Sequence, residues 1–299
     1  MEYLDEEKVR SLLSYQALMP AVERALIALS QGKVQQPVRT VLRVAEPEGF
    51  FALMPAVDGE LMGVKLVTAY EHNVDAPTHQ AVIHLFSMKN GVSLIAMDGR
   101  LITEMRTAAV SAVATRVLAP ENARVLAILG SGVQARSHVQ ALRMVRKFDE
   151  VRVWSRTAEH ARQFAAEFGA VAVESAEAAV RGADVVATVA ATQGPLFRGE
   201  WLGNNTLVCA VGVVTPDRRE LDDVAMQGVV VVESREAALR ESGDIIASGR
   251  PIDAEIGEIL AGTRPVPKGR VVFKTLGVAA CDLAAAGVVW HAVQPGASH

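Results

Sequence analysis

The stretch ARVLAILGSGVQARSHVQAL, from Ala123 to Leu142, decides how this chain is read. RVLAILG is a short apolar run of the kind that forms a buried strand, and VQARSHVQAL has the spacing of a helix. Between them lies Gly130-Ser131-Gly132, and Ala135 follows in the helical part. Gly-x-Gly-x-x-Ala between a strand and a helix is what a pyrophosphate needs. The glycines let the backbone come close, and the first turn of the helix offers amides with no partner of their own. A tight turn with no ligand uses the same glycines, so the surroundings have to decide.

Downstream, short β-branched runs alternate with helical segments: VRVWSR, AVAVE, ADVVATVA, TLVCAVG, GVVVVES and RVVFKTLG, with TAEHARQFAAEFG as a representative helix. Near-continuous Val and Ile strands separated by helices predict an α/β domain, a Rossmann-type doubly wound parallel sheet covered on both faces. That domain is placed at 118–277. Upstream the rhythm differs. A helical pattern from about Glu2 to Gln31 buries Val22, Leu26, Ile27 and Leu29 and stops at Gly32. The strand-like runs RTVLRVA, GFFALMP, GVKLVTAYE, QAVIHLFSM and VSLIAMDG follow, and Asn90-Gly91 marks a hairpin between the last two. The helix TEMRTAAVSAVATRVL then leads to Pro120, and AACDLAAAGVVWHAV reads as a final helix returning to the first domain. Residues 1–117 with 278–299 are therefore expected to form a mixed α/β domain.

Composition removes several classes of function. The chain has 299 residues, 50% hydrophobic and 21% charged, with a formal net charge of -4. Phosphate-tracking surfaces need clustered positive charge, so no nucleic-acid partner is expected. The acidic start MEYLDEEKVRSLL lacks the pattern of a secretory signal, and no apolar run reaches the ~18 residues that span a bilayer. A cytoplasmic protein without a membrane partner is the expectation. Cys209 and Cys281 sit in apolar runs and read as reduced core thiols. The seven histidines include no H-E-x-x-H and no Cys/His spacing for zinc, so no metal is expected; no G-x-S-x-G elbow is present either.

Two groups of residues carry the chemistry. At the end of VRVWSRT, an NAD site places an acidic residue to accept from the ribose 2′-hydroxyl, but here stand Ser155, Arg156 and Thr157. A guanidinium between hydroxyls suits a 2′-phosphate, which favours NADPH, with NADH as the weaker possibility. A solvated Arg beside a helix cap at Thr157 is the plainer alternative. Val189, at the end of ADVVATVA, completes the candidate cofactor residues. In the first domain Arg39, Lys65 and Arg106 are cations within apolar segments, which an anion or a partner must meet. Either they snorkel or pair with Glu71, Glu104 or Asp98, or they form an anion site.

The blocks QQPVRT, VKLVT, MDGRLITEMRTAAVSAVAT, LGSGVQARSH, VRVWSRT, PDRRELDD, EAALRESGD and FKTLGVAACD resemble the ornithine cyclodeaminase and mu-crystallin family, nearest its mu-crystallin, or ketimine reductase, branch. The resemblance implies a homodimeric enzyme whose mixed domain holds substrate and forms the dimer. It implies that Arg39, Lys65 and Arg106 are the carboxylate-binding and catalytic cations, and that Thr107 and the turn of Gly130, Ser131, Gly132, Val133, Gln134 and Ala135 hold the pyrophosphate. Ser155, Arg156 and Thr157 fall where the mu-crystallin branch holds the NADPH 2′-phosphate. Asp282 matches a family block without an assignable role.

One position departs from the pattern. Ornithine cyclodeaminases carry an Asp where this chain has Val214, which disfavours cyclising ornithine. The implied reaction is NAD(P)H-dependent reduction of the C=N bond of a small cyclic imine bearing a carboxylate, pyrroline-2-carboxylate or piperideine-2-carboxylate, to L-proline or L-pipecolate. An amino-acid dehydrogenase or cyclodeaminase is the second reading. A crystallin-like, NADPH-dependent binder of a thyroid-hormone-like carboxylate is the third.

Overall fold

A computed structural model of the chain describes residues 2–70 and 72–294. Its contacts divide into two units, Met1–Arg106 with Val278–His299, and Thr107–Gly277.

In the first unit, β1 (Tyr3–Leu4), α1 (Glu6–Leu12) and α2 (Tyr15–Ser30) precede five longer strands: β2 (Thr40–Val44), β3 (Gly49–Val57), β4 (Leu61–Ala69), β5 (His79–Ser87) and β6 (Ser93–Asp98). They form one sheet in the order β1-β6-β5-β4-β3-β2, with β2 to β6 antiparallel to their neighbours and β1 parallel to β6. Asn90-Gly91 does turn between β5 and β6. Gly91 has φ 73°, and the Asn90 side chain accepts from the Val92 amide. The single helix expected over Glu2–Gln31 is instead two, bent by 88°. Leu13 is extended and Ser14 caps α2 by accepting from the Ala17 amide, so a serine whose hydroxyl serves the next helix ends the first.

Helix α3 (Arg100–Leu118) crosses from one unit to the other. The sequence places the boundary at the last residues of this helix, between 117 and 118, whereas the division falls earlier in it, between Arg106 and Thr107. The side chains explain why: Arg106 is tied to Asp282 of the first unit, whereas Ser111 and Thr115 bond to His138 and Cys209 of the second.

The second unit alternates β7 (Val125–Leu129), α4 (Val133–Val145), β8 (Glu150–Trp154), α5 (Ala158–Phe168), β9 (Val171–Ala172), α6 (Ala176–Val180) and β10 (Val185–Thr188). It continues through β11 (Leu207–Ala210), β12 (Val229–Val232), α7 (Arg235–Glu241), α8 (Gly243–Ser248), β13 (Ala254–Glu255), α9 (Ile256–Leu260) and β14 (Val271–Lys274). All eight strands are parallel, in the order β13-β12-β14-β11-β10-β7-β8-β9. The expected doubly wound sheet is present. From β7 the chain builds outward through β8 and β9, then returns to the other side of β7 as β10. That reversal opens a crevice beyond the carboxyl ends of β7 and β10. The strand expected over AVAVE shrinks to the two residues of the edge strand β9.

After Gly277 the chain rejoins the first unit as α10 (Ala279–Val293), an almost entirely apolar helix lying on β4 and β3. Two glycines allow the close approach. A Cβ on Gly63 would come within 3.0 Å of a Leu283 methyl and 2.8 Å of the His84 carbonyl oxygen, and one on Gly287 within 3.2 Å of a Leu61 methyl. At Gly63 the backbone atom cannot yield cheaply, so Gly63→Ala is expected to overpack the joint. It should destabilise the protein by about 1–3 kcal/mol, read as a lower urea midpoint at unchanged slope.

Candidate active site

The site residues in the first unit gather where α10 meets β4 and the start of α3. Lys65, central on β4, points to the α10 side, as do the buried Leu61 and Ala69. Its ammonium donates to Oδ2 of Asp282 at 2.6 Å, and the Arg106 Nε donates to Oδ1 of the same carboxylate at 2.8 Å. All three residues are at least 95% buried. Lys65 and Arg106 therefore do not snorkel, and both turn to a carboxylate other than the Asp98 and Glu104 that the sequence offered, namely Asp282. Glu71, the remaining candidate partner, lies outside the described residues.

Burial is the largest influence on Lys65 and pushes its pKa down; Asp282 pulls it back up, and Arg106 and then Arg39 push it down again. It settles at about 8, well under the ordinary lysine value. Asp282 has the opposite balance. Burial would raise it, but Arg106 and Lys65 together hold it below the usual carboxylate range. Arg39, half-buried just ahead of β2, thus belongs to the same electrostatic group. One carboxylate and two guanidiniums act on Lys65, a mainly cationic surrounding that favours an incoming anion. Asp282 gains a role that the sequence left open, as the brace between two buried cations. The signal was present as a single carboxylate in AACDLAAAG, but its partners lie far away in the chain.

In the second unit a cleft of about 240 Å³ opens at the carboxyl ends of β7, β8 and β10. Of the residues that the sequence offered for the cofactor, Gly130, Ser131, Gly132, Ser155, Arg156 and Val189 line it, together with Trp154, Ala190, Ala191 and Leu196, which the sequence did not single out. Gly130 has φ 125°, a conformation that side chains avoid, and a Cβ there would sit 3.2 Å from Ala190. Gly132 faces open space and caps α4 without any side-chain bond, so the amides of that first turn are not covered by a cap hydroxyl. A glycine cradle, an uncapped helix start and the adjoining cleft fit the pyrophosphate of a nicotinamide dinucleotide. Ser131 donates to the Ser155 hydroxyl at 3.0 Å, joining the first turn to the end of β8, and Arg156 is exposed at the cleft.

Five anticipated residues do not line that cleft. Val133, Gln134 and the buried Ala135 begin α4, Thr107 is buried on α3, and Thr157 caps α5 without a side-chain bond. Gln134 contributes through its backbone: its carbonyl accepts from His138 Nδ1 at 2.7 Å, and His138 Nε2 meets the Ser111 hydroxyl at 3.0 Å. Burial pushes His138 down to about 4, so the ring is neutral at pH 7 and Nε2 accepts. The sequence did not single out this brace between α3 and α4. Cys209 and Cys281 are buried thiols, with Cys209 pushed up to about 12 by burial. Among the described residues no group of His, Cys, Asp and Glu could hold a metal ion.

Comparison with known proteins agrees with this layout. The family model described as the ornithine cyclodeaminase/mu-crystallin family matches residues 2–296. The ketimine reductase mu-crystallin of Mus musculus is 46% identical over 306 residues, covering 98% of both chains. A Delta(1)-pyrroline-2-carboxylate reductase of Bacillus cereus is 32% identical, covering 97% of this chain and 96% of that one. Among solved structures, Thermococcus litoralis Delta(1)-pyrroline-2-carboxylate reductase, in complex with NADH and L-proline, superimposes with a TM-score of 0.93 at 33% identity, covering 98% of this chain and 97% of that one. With the braced cations of one unit and the glycine cradle of the other both in place, this chain belongs to the ornithine cyclodeaminase/mu-crystallin family.

Proposed function

We propose that this protein is a nicotinamide-dependent reductase of small cyclic imines that carry a carboxylate next to the C=N bond, with NADPH preferred over NADH. The observation that carries the reading is the group Lys65, Arg106 and Arg39 around the single carboxylate of Asp282. A substrate carboxylate is attracted by this mainly cationic group and is oriented by the guanidiniums. The reduced cofactor supplies hydride, which adds to the imine carbon while a proton is taken up on nitrogen, leaving a secondary amine. Lys65 is the proton's holder. At about 8 its pKa keeps it mostly protonated at neutral pH, yet acidic enough to share the proton with the substrate nitrogen.

Pyrroline-2-carboxylate and piperideine-2-carboxylate meet these requirements, giving L-proline and L-pipecolate. The names of the mouse and B. cereus relatives support an imine substrate. Val214, half-exposed and apolar, offers no charge for a substrate side-chain amine, which weighs against a cyclodeaminase. A second copy of the chain is the proposed partner. On the sheet face turned away from α10, Leu42, Phe51, Leu53, Val64, Leu66 and Val82 make a continuous apolar surface that a copy would cover.

Oxidation of NADPH at 340 nm with either ketimine is expected to be rapid, and no reduction of NAD by L-ornithine is expected. Silence on both ketimines would remove the reading. Arg156→Ala should raise KM for NADPH by about 10-fold or more while leaving KM for NADH within about 2-fold, because only the phosphate contact is lost. Equal loss for both cofactors would refute the 2′-phosphate assignment.

The pH profile tests Lys65. If the protonated amine is required, kcat/KM should fall as pH rises through about 8. Asp282 raises the Lys65 pKa, so Asp282→Asn should move that falling limb to lower pH. Lys65→Met should abolish the limb together with most of the turnover. A limb that stays in place in Asp282→Asn would rule Lys65 out as its source.

A further inference from the structure

The second unit holds another buried charge cluster that the proposed reaction does not use. Lys274, the last residue of β14, Glu220 and Asp244 are fully buried. The Lys274 ammonium donates to Glu220 Oε1 at 2.5 Å and to the Val213 carbonyl at 2.6 Å, and it lies 3.1 Å from Asp244 Oδ2. Both carboxylates also collect backbone amides. Glu220 accepts from Gly212 at 3.0 Å and Val213 at 3.1 Å, and Asp244 from Glu220 and Leu221, both at 2.9 Å. Two carboxylates share one ammonium, with none of the three side chains exposed. As a device for stability this is a poor choice, since an apolar cluster of the same volume serves as well or better. What it does provide is position, because the loop 212–221 is fixed through its amides and a carbonyl at both ends.

Two threads lead from that loop to the cleft. Gly212 lies against Ala190 so closely that a Cβ on it would stand 2.3 Å from the Ala190 carbonyl oxygen, and Ala190 is part of the cleft wall. The Glu220 carbonyl accepts from the Leu196 amide at 2.9 Å, and Leu196 is also in the wall. Both threads end on the β10 side of the switch point. In a doubly wound sheet that side takes the nicotinamide half of a dinucleotide, whereas the β7 and β8 side, with Gly130, Ser155 and Arg156, takes the adenosine half.

We propose that Lys274, Glu220 and Asp244 form a positioning unit that sets the cleft wall for the nicotinamide half of the cofactor and leaves the adenosine half untouched. The proposal rests on the dinucleotide reading above. Glu220→Gln keeps the side-chain shape and turns one acceptor into a donor, so that Gly212 or Val213 loses its anchor. Gly212→Ala attacks the other end of the same link without touching a charge.

Isothermal titration of each variant with ADP and with whichever of NADPH and NADH the unaltered protein binds more tightly provides the test. Both variants are expected to lose about 10-fold or more in dinucleotide affinity, the worth of one misplaced charge-assisted hydrogen bond, and to hold ADP within about 3-fold. ADP binding doubles as the check on folding, and Gly212→Ala carries the test if Glu220→Gln does not fold. Equal losses for both ligands, a loss for ADP alone, or no loss for either would overturn the proposal. If the unaltered protein binds ADP but neither dinucleotide, it is the cofactor reading that fails, and the positioning role falls with it.

Discussion

Asp282 places one carboxylate between two buried cations, and the architecture of the first unit follows from that bridge. Each ion taken out of water costs several kcal/mol, and removing one member of such a group typically costs about 3–5 kcal/mol, because the charges left behind have no solvent to turn to. Lys65 stands in the middle of a sheet and Arg106 near the start of a helix, so neither can reach water by rearranging locally. Their counter-charge has to come from elsewhere in the chain. It comes from α10, which returns to the first unit and settles on β4 over Gly63 and Gly287. Close packing of small residues and the charge bridge are therefore one constraint: without the glycines the helix stands off, and without the helix Lys65 and Arg106 lose the Asp282 carboxylate.

The two buried lysines show how composition of the immediate surroundings, more than depth, sets chemistry. Burial pushes both pKa values down as the largest single influence. Lys274 faces two carboxylates, which outweigh burial and raise it above the ordinary value. Lys65 faces one carboxylate and two guanidiniums, and ends lowered to about 8. The first is a fixed cation whose remaining bonds go to backbone, suited to holding a loop. The second holds its proton loosely and lies in a mainly cationic group, suited to a substrate that brings an anion and accepts a proton. Sequence position alone does not separate them, since each is a lysine in an apolar strand.

How much of this the sequence discloses depends on the range of the interaction. The Rossmann-type sheet is legible because continuous Val and Ile runs, alternating helices and the Gly130 to Ala135 turn are all local signals that agree with one another. The Asn90-Gly91 hairpin is legible for the same reason. The break at Leu13 and Ser14 escapes because apolar periodicity continues across it, and only the serine's hydroxyl bond to Ala17 distinguishes the two helices. Lys65 and Arg106 stand out as charges in apolar runs, yet their partner is 217 residues from Lys65 and 176 from Arg106. Nearer carboxylates at Asp98 and Glu104 were the natural expectation. Glu220 and Asp244 fall in two of the blocks that carry the family resemblance, PDRRELDD and EAALRESGD, but no residue type or spacing marks them as buried, because acidic residues in polar stretches ordinarily face water.

For the proposed reductase, the two guanidiniums acting on Lys65 tie recognition of the substrate to its protonation. Burial is the main cause that lowers Lys65, and Arg106 and Arg39 add to it; a carboxylate arriving beside them offsets their share, so binding an anion raises the lysine's affinity for its proton. The imine carboxylate thus helps keep protonated the group that serves its own nitrogen, and a neutral imine of the same shape lacks that effect. Selection for a carboxylate next to the C=N bond follows from electrostatics in the first unit alone. Ring size and alkyl substituents exert no comparable influence on Lys65, because they carry no charge.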